Sequence, residues 1–305
     1  MRLAHFSDLH ILSLVGVGPR RFLNKRLSGY LNLRLKRKHV HHPSYVAAIA
    51  REVKRVAVDH VAITGDLTNL ALEAEFQAVR ELLERELGLA PSDVSVVPGN
   101  HDLYTRGSLR GRRFVEYLAP YVESDLPMAS PLGLGVFPFV RLRGPLAIIG
   151  LSSAVPRLPF VAAGKLGASQ LGALSRILAH EDVSKRTPII LLHHPVHLPR
   201  SPLKAMLEGL HDARDLAERL AGVEHGLLLH GHLHRRLRQE LATTRGAMHA
   251  VGATSASLHH HDGSKMAGFN VYDFDDAGRL RGTEAHVLDD AGAFHVEKVP
   301  LGEWL

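Results

Sequence analysis

Cysteine is absent from all 305 residues. That excludes disulfide staples, thiolate metal sites and a cysteine nucleophile, and it leaves the compartment open. Long apolar runs are missing as well. The most apolar stretch, Leu132 to Val161, is broken by Arg141, Arg143 and Arg157, so no window reaches the roughly 18 apolar residues that a membrane-spanning helix needs. The amino terminus, Met1-Arg2-Leu3-Ala4-His5, brings charge and polarity too early for the core of a secretory signal. A cytoplasmic protein is the expectation. Glycine-rich phosphate loops are lacking too: Gly16-Val17-Gly18 is not followed by the Lys-Ser/Thr pair such a loop requires, and no Gly-x-Gly-x-x-Gly opens a helix. Ser7, Ser152 and Ser153 do not stand in the context of a serine nucleophile elbow.

One segment lacks acid altogether. Between Gly16 and His42 there are eight Lys or Arg residues and no Asp or Glu, while the rest of the chain carries 29 basic and 31 acidic residues. The formal charge of +6 is therefore a local property and calls for a local explanation.

What the chain does contain is a repeated event. Five apolar runs, Arg2 to Ser7, His60 to Thr64, Val94 to Val97, Ile189 to Leu192 and Gly226 to Leu229, each stop at a polar cluster. Helical periodicity lies between them, over Tyr45 to Val58, Leu72 to Leu87, Gln170 to Leu178 and Asp212 to Leu220. The alternation predicts an α/β architecture with its site at the strand ends. Ala247 to Val251, Gly268 to Phe274 and Gly282 to Leu288 read as later strands, expected to form a second sheet packed on the first. One domain over residues 1–305 is the reading, with a basic amphipathic insert at about 16–42 near the site mouth.

The clusters carry chemistry. Asp8 and His10 are two residues apart, the spacing that lets a carboxylate and an imidazole reach one cation from an extended chain. Asp66 follows Gly65, and one carboxylate can bridge two cations about 4 Å apart. In Gly99-Asn100-His101-Asp102, Asn100 offers a neutral oxygen to a metal, His101 reaches toward the phosphate or its leaving group, and Asp102 is positioned in sequence to fix the His101 tautomer. His193 of the His193-His194 pair is expected to face the site, with His194 turned away. In His230-Gly231-His232-Leu233-His234 an extended backbone would put all three imidazoles on one side. His230 and His232 are the ligand candidates, and His234 is a spare that contacts substrate. Imidazoles favour Mn, Fe or Zn over Mg.

Taken in order, Asp8-Leu9-His10, Gly65-Asp66, Gly99-Asn100-His101-Asp102, His193 and Gly231 with its flanking histidines resemble the signature of the calcineurin-like metallophosphoesterases. The resemblance implies a two-sheet β-sandwich flanked by helices with the metal site at the C-terminal strand ends. It also implies two divalent or trivalent metal ions, with Asp8, His10 and His232 on the first, Asn100, His193 and His230 on the second, and Asp66 between them. Hydrolysis of a phosphodiester is the implied activity: a bridging hydroxide attacks phosphorus and His101 assists the leaving group. A small nucleotide or related diester is the expected substrate, a nucleotide-sugar or lipid-linked pyrophosphate the alternative. A non-catalytic interaction scaffold fits poorly, since no ligand type is missing.

The basic insert admits three uses. Leu23, Leu27, Leu31 and Leu35 fall at four-residue intervals, which suits an amphipathic cap docked on the body. Residues 20–38 would alternatively touch an anionic membrane surface, or steer a nucleic acid. Phe22 and Tyr30 are its only aromatics, too few for a base-stacking platform.

Overall fold

Strand pairing, more than strand position in sequence, organises the computed structural model, which describes residues 1–22, 26–32, 40–127, 136–158, 161–197 and 201–302. Its strands are β1 (Arg2–Phe6), β2 (His60–Ile63), β3 (Val94–Val96), β4 (Phe139–Arg143), β5 (Leu146–Gly150), β6 (Thr187–Leu191), β7 (His225–His230), β8 (Leu237–Ala242), β9 (Ala247–Gly252), β10 (Gly268–Phe274), β11 (Leu280–Leu288) and β12 (Phe294–Lys298). They form two six-stranded mixed sheets, ordered β12-β11-β10-β1-β2-β3 and β4-β5-β6-β7-β9-β8.

The late strands do not make a second sheet of their own, as the sequence reading expected. β10 pairs antiparallel with β1, Leu3 opposite Tyr272, so the late hairpin extends the first sheet. The second sheet is built instead around β6 and β7, which pair in parallel. The β4–β5 hairpin, hidden in the apolar stretch before Val161, completes one edge of it.

Each strand that ends in a ligand cluster is buried on both faces, which explains its unbroken apolar run. Helix Pro43–Val56 starts on a proline in its first turn, ends at left-handed Ala57, and buries Val46, Ile49, Ala50 and Val53. Helix Glu73–Leu82 buries Phe76 and Val79 in the same core, which also joins the two sheets through Ile189, Leu191, Leu227, Leu229 and Val251. A second core lies between the β6–β7 sheet and helices Ala168–Leu178 and Ala213–Leu220. Helices thus flank both outer faces, and β1, β2, β3, β6 and β7 direct their carboxyl ends to one rim. No helix among the described residues is long and apolar enough to cross a membrane.

Part of the basic insert is visible. In the short helix Arg26–Asn32, Leu27 is exposed, whereas Arg26 is buried and donates to the carbonyls of Leu70 and Ala71 at 2.7 and 3.2 Å; the Leu31 side chain lies outside the described residues. Leu23 and Leu35 lie outside the described residues, as do Lys25, Arg34 and Lys36 to Lys38.

Candidate metal centre

Five residues on the rim hold left-handed backbone although none is glycine: Asp8 (φ 54°), His10 (φ 49°), Asp66 (φ 50°), His232 (φ 69°) and His234 (φ 48°). Such conformations cost roughly 1–2 kcal/mol each and persist where the surroundings impose them. The imposition is visible in the backbone. Asp8 N–H donates to Gly65 O at 2.9 Å and His10 N–H to Asp66 O at 3.0 Å, locking the loops after β1 and β2 together. The Asn69 amide also donates to the His10 carbonyl.

Two glycines make room for the carboxylates. A methyl group at Gly99 would collide with the backbone and Oδ1 of Asp66, and one at Gly231 would collide with Ser7 Oγ and Asp8 Oδ2. Only a residue without Cβ lets these loops pass so close to the two acids.

The side chains converge in two groups. In the first, His234 Nε2 stands 3.0 Å from Asp8 Oδ1 and 3.3 Å from His10 Nε2. In the second, Asn100 Oδ1 lies 3.2 Å from both His193 Nε2 and His232 Nδ1. Asp66 lies between: its Oδ2 is 3.4 Å from His193 Nε2, and potential ligand atoms of His10, Asp66 and His101 fall within 4.8 Å of one another. Those of Asp8, Asp66 and His193 do the same.

The opposite nitrogens of the second group are tied back to the protein. His193 Nδ1 is 2.7 Å from Thr64 O, and His232 Nε2 is 2.9 Å from Glu208 O. A carbonyl at that position fixes the tautomer and leaves the other nitrogen's lone pair for a metal.

The carboxylates and imidazoles inside the site shift one another. Burial would raise the Asp66 pKa, yet His193, His101 and His10 hold it well below the carboxylate range; Asp8 is likewise lowered against its burial, by His234 and His193. Burial pulls His193 down, but Asp66 and Asp8 outweigh it and push its pKa up to about 9. Two carboxylates, an amide oxygen and several imidazoles around one buried space form a donor set for borderline divalent ions. The donor chemistry, the strained loops and the glycine cradles all fit such ions.

Two expectations need correction. The first is the histidine run after β7. His230 still belongs to the strand and its Nδ1 turns to Gly231 O at 3.1 Å, while the imidazole that stands against Asp8 and His10 is that of His234. The alternation argument assumed extended backbone, and the left-handed turns at His232 and His234 break it. The second is Asp102. It does not orient His101: its two oxygens accept from Gly99 N–H, Leu67 N–H, Thr68 N–H and Thr68 Oγ, at 2.9 to 3.2 Å. That carboxylate pins the β2 loop to the β3 loop.

The His101 imidazole is held by other means. Its Nδ1 lies 2.8 Å from Asn69 O, and its ring stacks on Tyr104 at 5.5 Å between centroids. Sequence reasoning missed Asn69, although its place three residues after Asp66 put it on the same loop. His194 is bonded through Nδ1 to Ser153 Oγ (2.8 Å) and through Nε2 to Ala162 O (2.7 Å), with its ring packed 4.5 Å from that of His232.

Ligand clusters for two divalent metals at the ends of sandwiched strands define a metal-dependent hydrolase. The chain belongs to the calcineurin-like phosphoesterases, whose family model matches residues 1–236. It is 30% identical over 176 residues to a cAMP/cGMP dual specificity phosphodiesterase of Mycobacterium tuberculosis, a match covering 58% of this chain and 48% of that protein, so the chain spans about half the length of that relative. The fold is that of a dimetal phosphatase from Danio rerio (TM-score 0.56, 13% identity, 89% of this chain and 92% of that one). It is also that of a purple acid phosphatase from yellow lupin seeds (TM-score 0.59, 12% identity, 97% and 52%).

Proposed function

We propose that this protein hydrolyses a phosphodiester, with a small nucleotide or related diester as substrate. The observation that carries the reading is Asp66 set between two ligand groups. Asp8, His10 and His234 would hold one ion, Asn100, His193 and His232 the other, with Asp66 shared. A cation pair there supplies Lewis-acid charge at phosphorus and acidifies water.

The chain's own residues do the rest. Asn69 O accepts the Nδ1–H of His101, so the imidazolium form presents its second proton on Nε2, gives it to the departing oxygen and is left as the neutral Nδ1–H tautomer. The Tyr104 ring stacked against His101 limits its rotation, so the proton is delivered from a fixed position. Asp102 keeps the two loops that carry Asp66 and Asn100 in register. The activity named for the mycobacterial relative supports a cyclic or small diester over a pyrophosphate.

We read residues 1–305 as one domain and the 16–42 insert as a cap at the site mouth. Arg21 binds Glu73 at 2.6 Å and Arg26 binds the 70–71 carbonyls, so two of its bases serve the body. That favours the cap over an anionic membrane contact.

The test is a substrate panel on metal-defined protein: bis(p-nitrophenyl) phosphate, cyclic nucleotides, glycerophosphodiesters, nucleotide-sugar pyrophosphates and single-stranded DNA. Turnover of a small diester above the rest is expected. Turnover confined to pyrophosphates would overturn the diester reading.

A further inference from the structure

The two sheets part at the end opposite the metals. There, where β6, β7 and β9 begin, they enclose a cavity of about 640 Å³ lined by the starts of these strands and by β8, β10, β11 and β12. The six residues of β7, at ~3.3 Å each, place it roughly 17 Å from the metal rim.

Its walls follow from the strand pattern. On the face each strand turns to the other sheet, the apolar stripe gives out toward this end: Leu191 and Ile189 lead to Thr187, Leu229 and Leu227 to His225, and Val251 to His249. Arg238 on β8 sits opposite Val251 in register and so projects from the same face. Three strands abandoning their core residues together leave a space that packing does not fill.

The charge in that space is mostly positive. Arg238, Arg279, Arg281 and Lys298 line it against a single acid, Glu224. Glu224 faces Arg245 at 3.8 Å, and Arg281 is paired with Asp275 at 2.6 Å. No acid pairs with the Arg238, Arg279 or Lys298 side chains among the described residues. Deeper in, Arg238 Nε and His249 Nδ1 are buried with no hydrogen-bond partner. A buried polar group left unsatisfied costs about 1–3 kcal/mol, and an acceptor brought by a ligand would remove that cost. Phe274, Leu227 and Leu280 give the same cavity an apolar wall.

We infer that this cavity is a second binding site, for a small organic phosphate of mononucleotide size. The phosphate meets Arg238, with Arg279 and Lys298 at the mouth, and the ring or chain it carries lies on Phe274. The volume sits within the roughly 300–1,000 Å³ usual for small-molecule pockets and far exceeds a bare anion. Cation clusters without acidic partners are the ordinary means of holding phosphate. The inference is independent of the metal centre's substrate.

Equilibrium dialysis of the metal-loaded protein against AMP tests it. Compared with wild type, Arg238→Gln/Arg279→Gln is expected to lose one equivalent of bound AMP while bis(p-nitrophenyl) phosphate hydrolysis stays unchanged. Equal AMP binding by both proteins overturns the site. Since Arg238 is partly buried, the exposed pair Arg279→Gln/Lys298→Gln serves as a second variant, expected to weaken this equivalent at least three-fold. An unaltered Kd there also overturns it. Inorganic phosphate is expected to bind the cavity at least ten-fold more weakly than AMP, and equal affinity would remove the organic part of the assignment.

Discussion

His234 Nε2 lies 3.0 Å from Asp8 Oδ1 across 226 residues of sequence, in the place beside Asp8 and His10 where the family resemblance put His232. His234→Ala should therefore drop the metal content from two ions to one per chain and slow diester hydrolysis ~100-fold or more, the scale of losing several kcal/mol of transition-state stabilisation. His230→Ala should keep both ions and cost stability instead, ~1–3 kcal/mol. Metal analysis of the two purified variants separates them.

His101 touches the site without belonging to either group of ligands. His101→Ala is expected to retain fold and both metals while kcat falls ~10²–10⁴-fold, the usual worth of a positioned proton donor. Asp102→Asn should behave differently, because the Asn amide would face backbone N–H groups that now donate to a carboxylate. Thermal stability should fall by ~1–3 kcal/mol with the shape of the pH–rate profile retained. A shifted profile would return Asp102 to the tautomer-fixing role.

Gly99 has no space for a side chain beside Asp66. Gly99→Ala is expected to lose metal and to destabilise the protein by ~1–3 kcal/mol through overpacking. A denaturation curve with and without added Mn checks both, since the stabilising increment from metal should shrink in the variant.

Glu75 gives a pH signature away from the metals. Buried with its Oε2 accepting from Leu70 and Leu72 N–H, it has a pKa pushed up by burial to about 8 from its ordinary 4.5. The folded state then holds a proton that the unfolded state has released, so this group's contribution is full below about 4.5 and is lost as pH rises to about 8. Glu75→Gln keeps both hydrogen bonds and should flatten that decline. Urea melts at pH 5 and pH 8.5 measure it, and parallel pH dependence in the two proteins would refute the burial argument.

Much of this is legible in the sequence. The five apolar runs ending in polar clusters are the strands β1, β2, β3, β6 and β7, because burial on both faces writes itself as continuous Val, Ile and Leu. Sheet membership was not legible. Whether Gly268–Phe274 joins β1 or the later strands depends on long-range pairing that no local pattern records. The facing of the late histidines was not legible for a different reason: alternation holds only while the chain is extended, and His232 and His234 turn left-handed, with His232 N–H held by Asp8 Oδ2. The Asp102 role failed because chain adjacency to His101 says nothing about direction, and four donors from two loops had a stronger claim on its oxygens.

The most direct measurement is anomalous diffraction from crystals of Mn-loaded protein. Two peaks are predicted about 4 Å apart, with Asp66 a ligand to both, His234 on the ion held by Asp8, and His230 on neither. A single peak, or a pair in which Asp66 reaches only one ion, would contradict the shared-carboxylate centre.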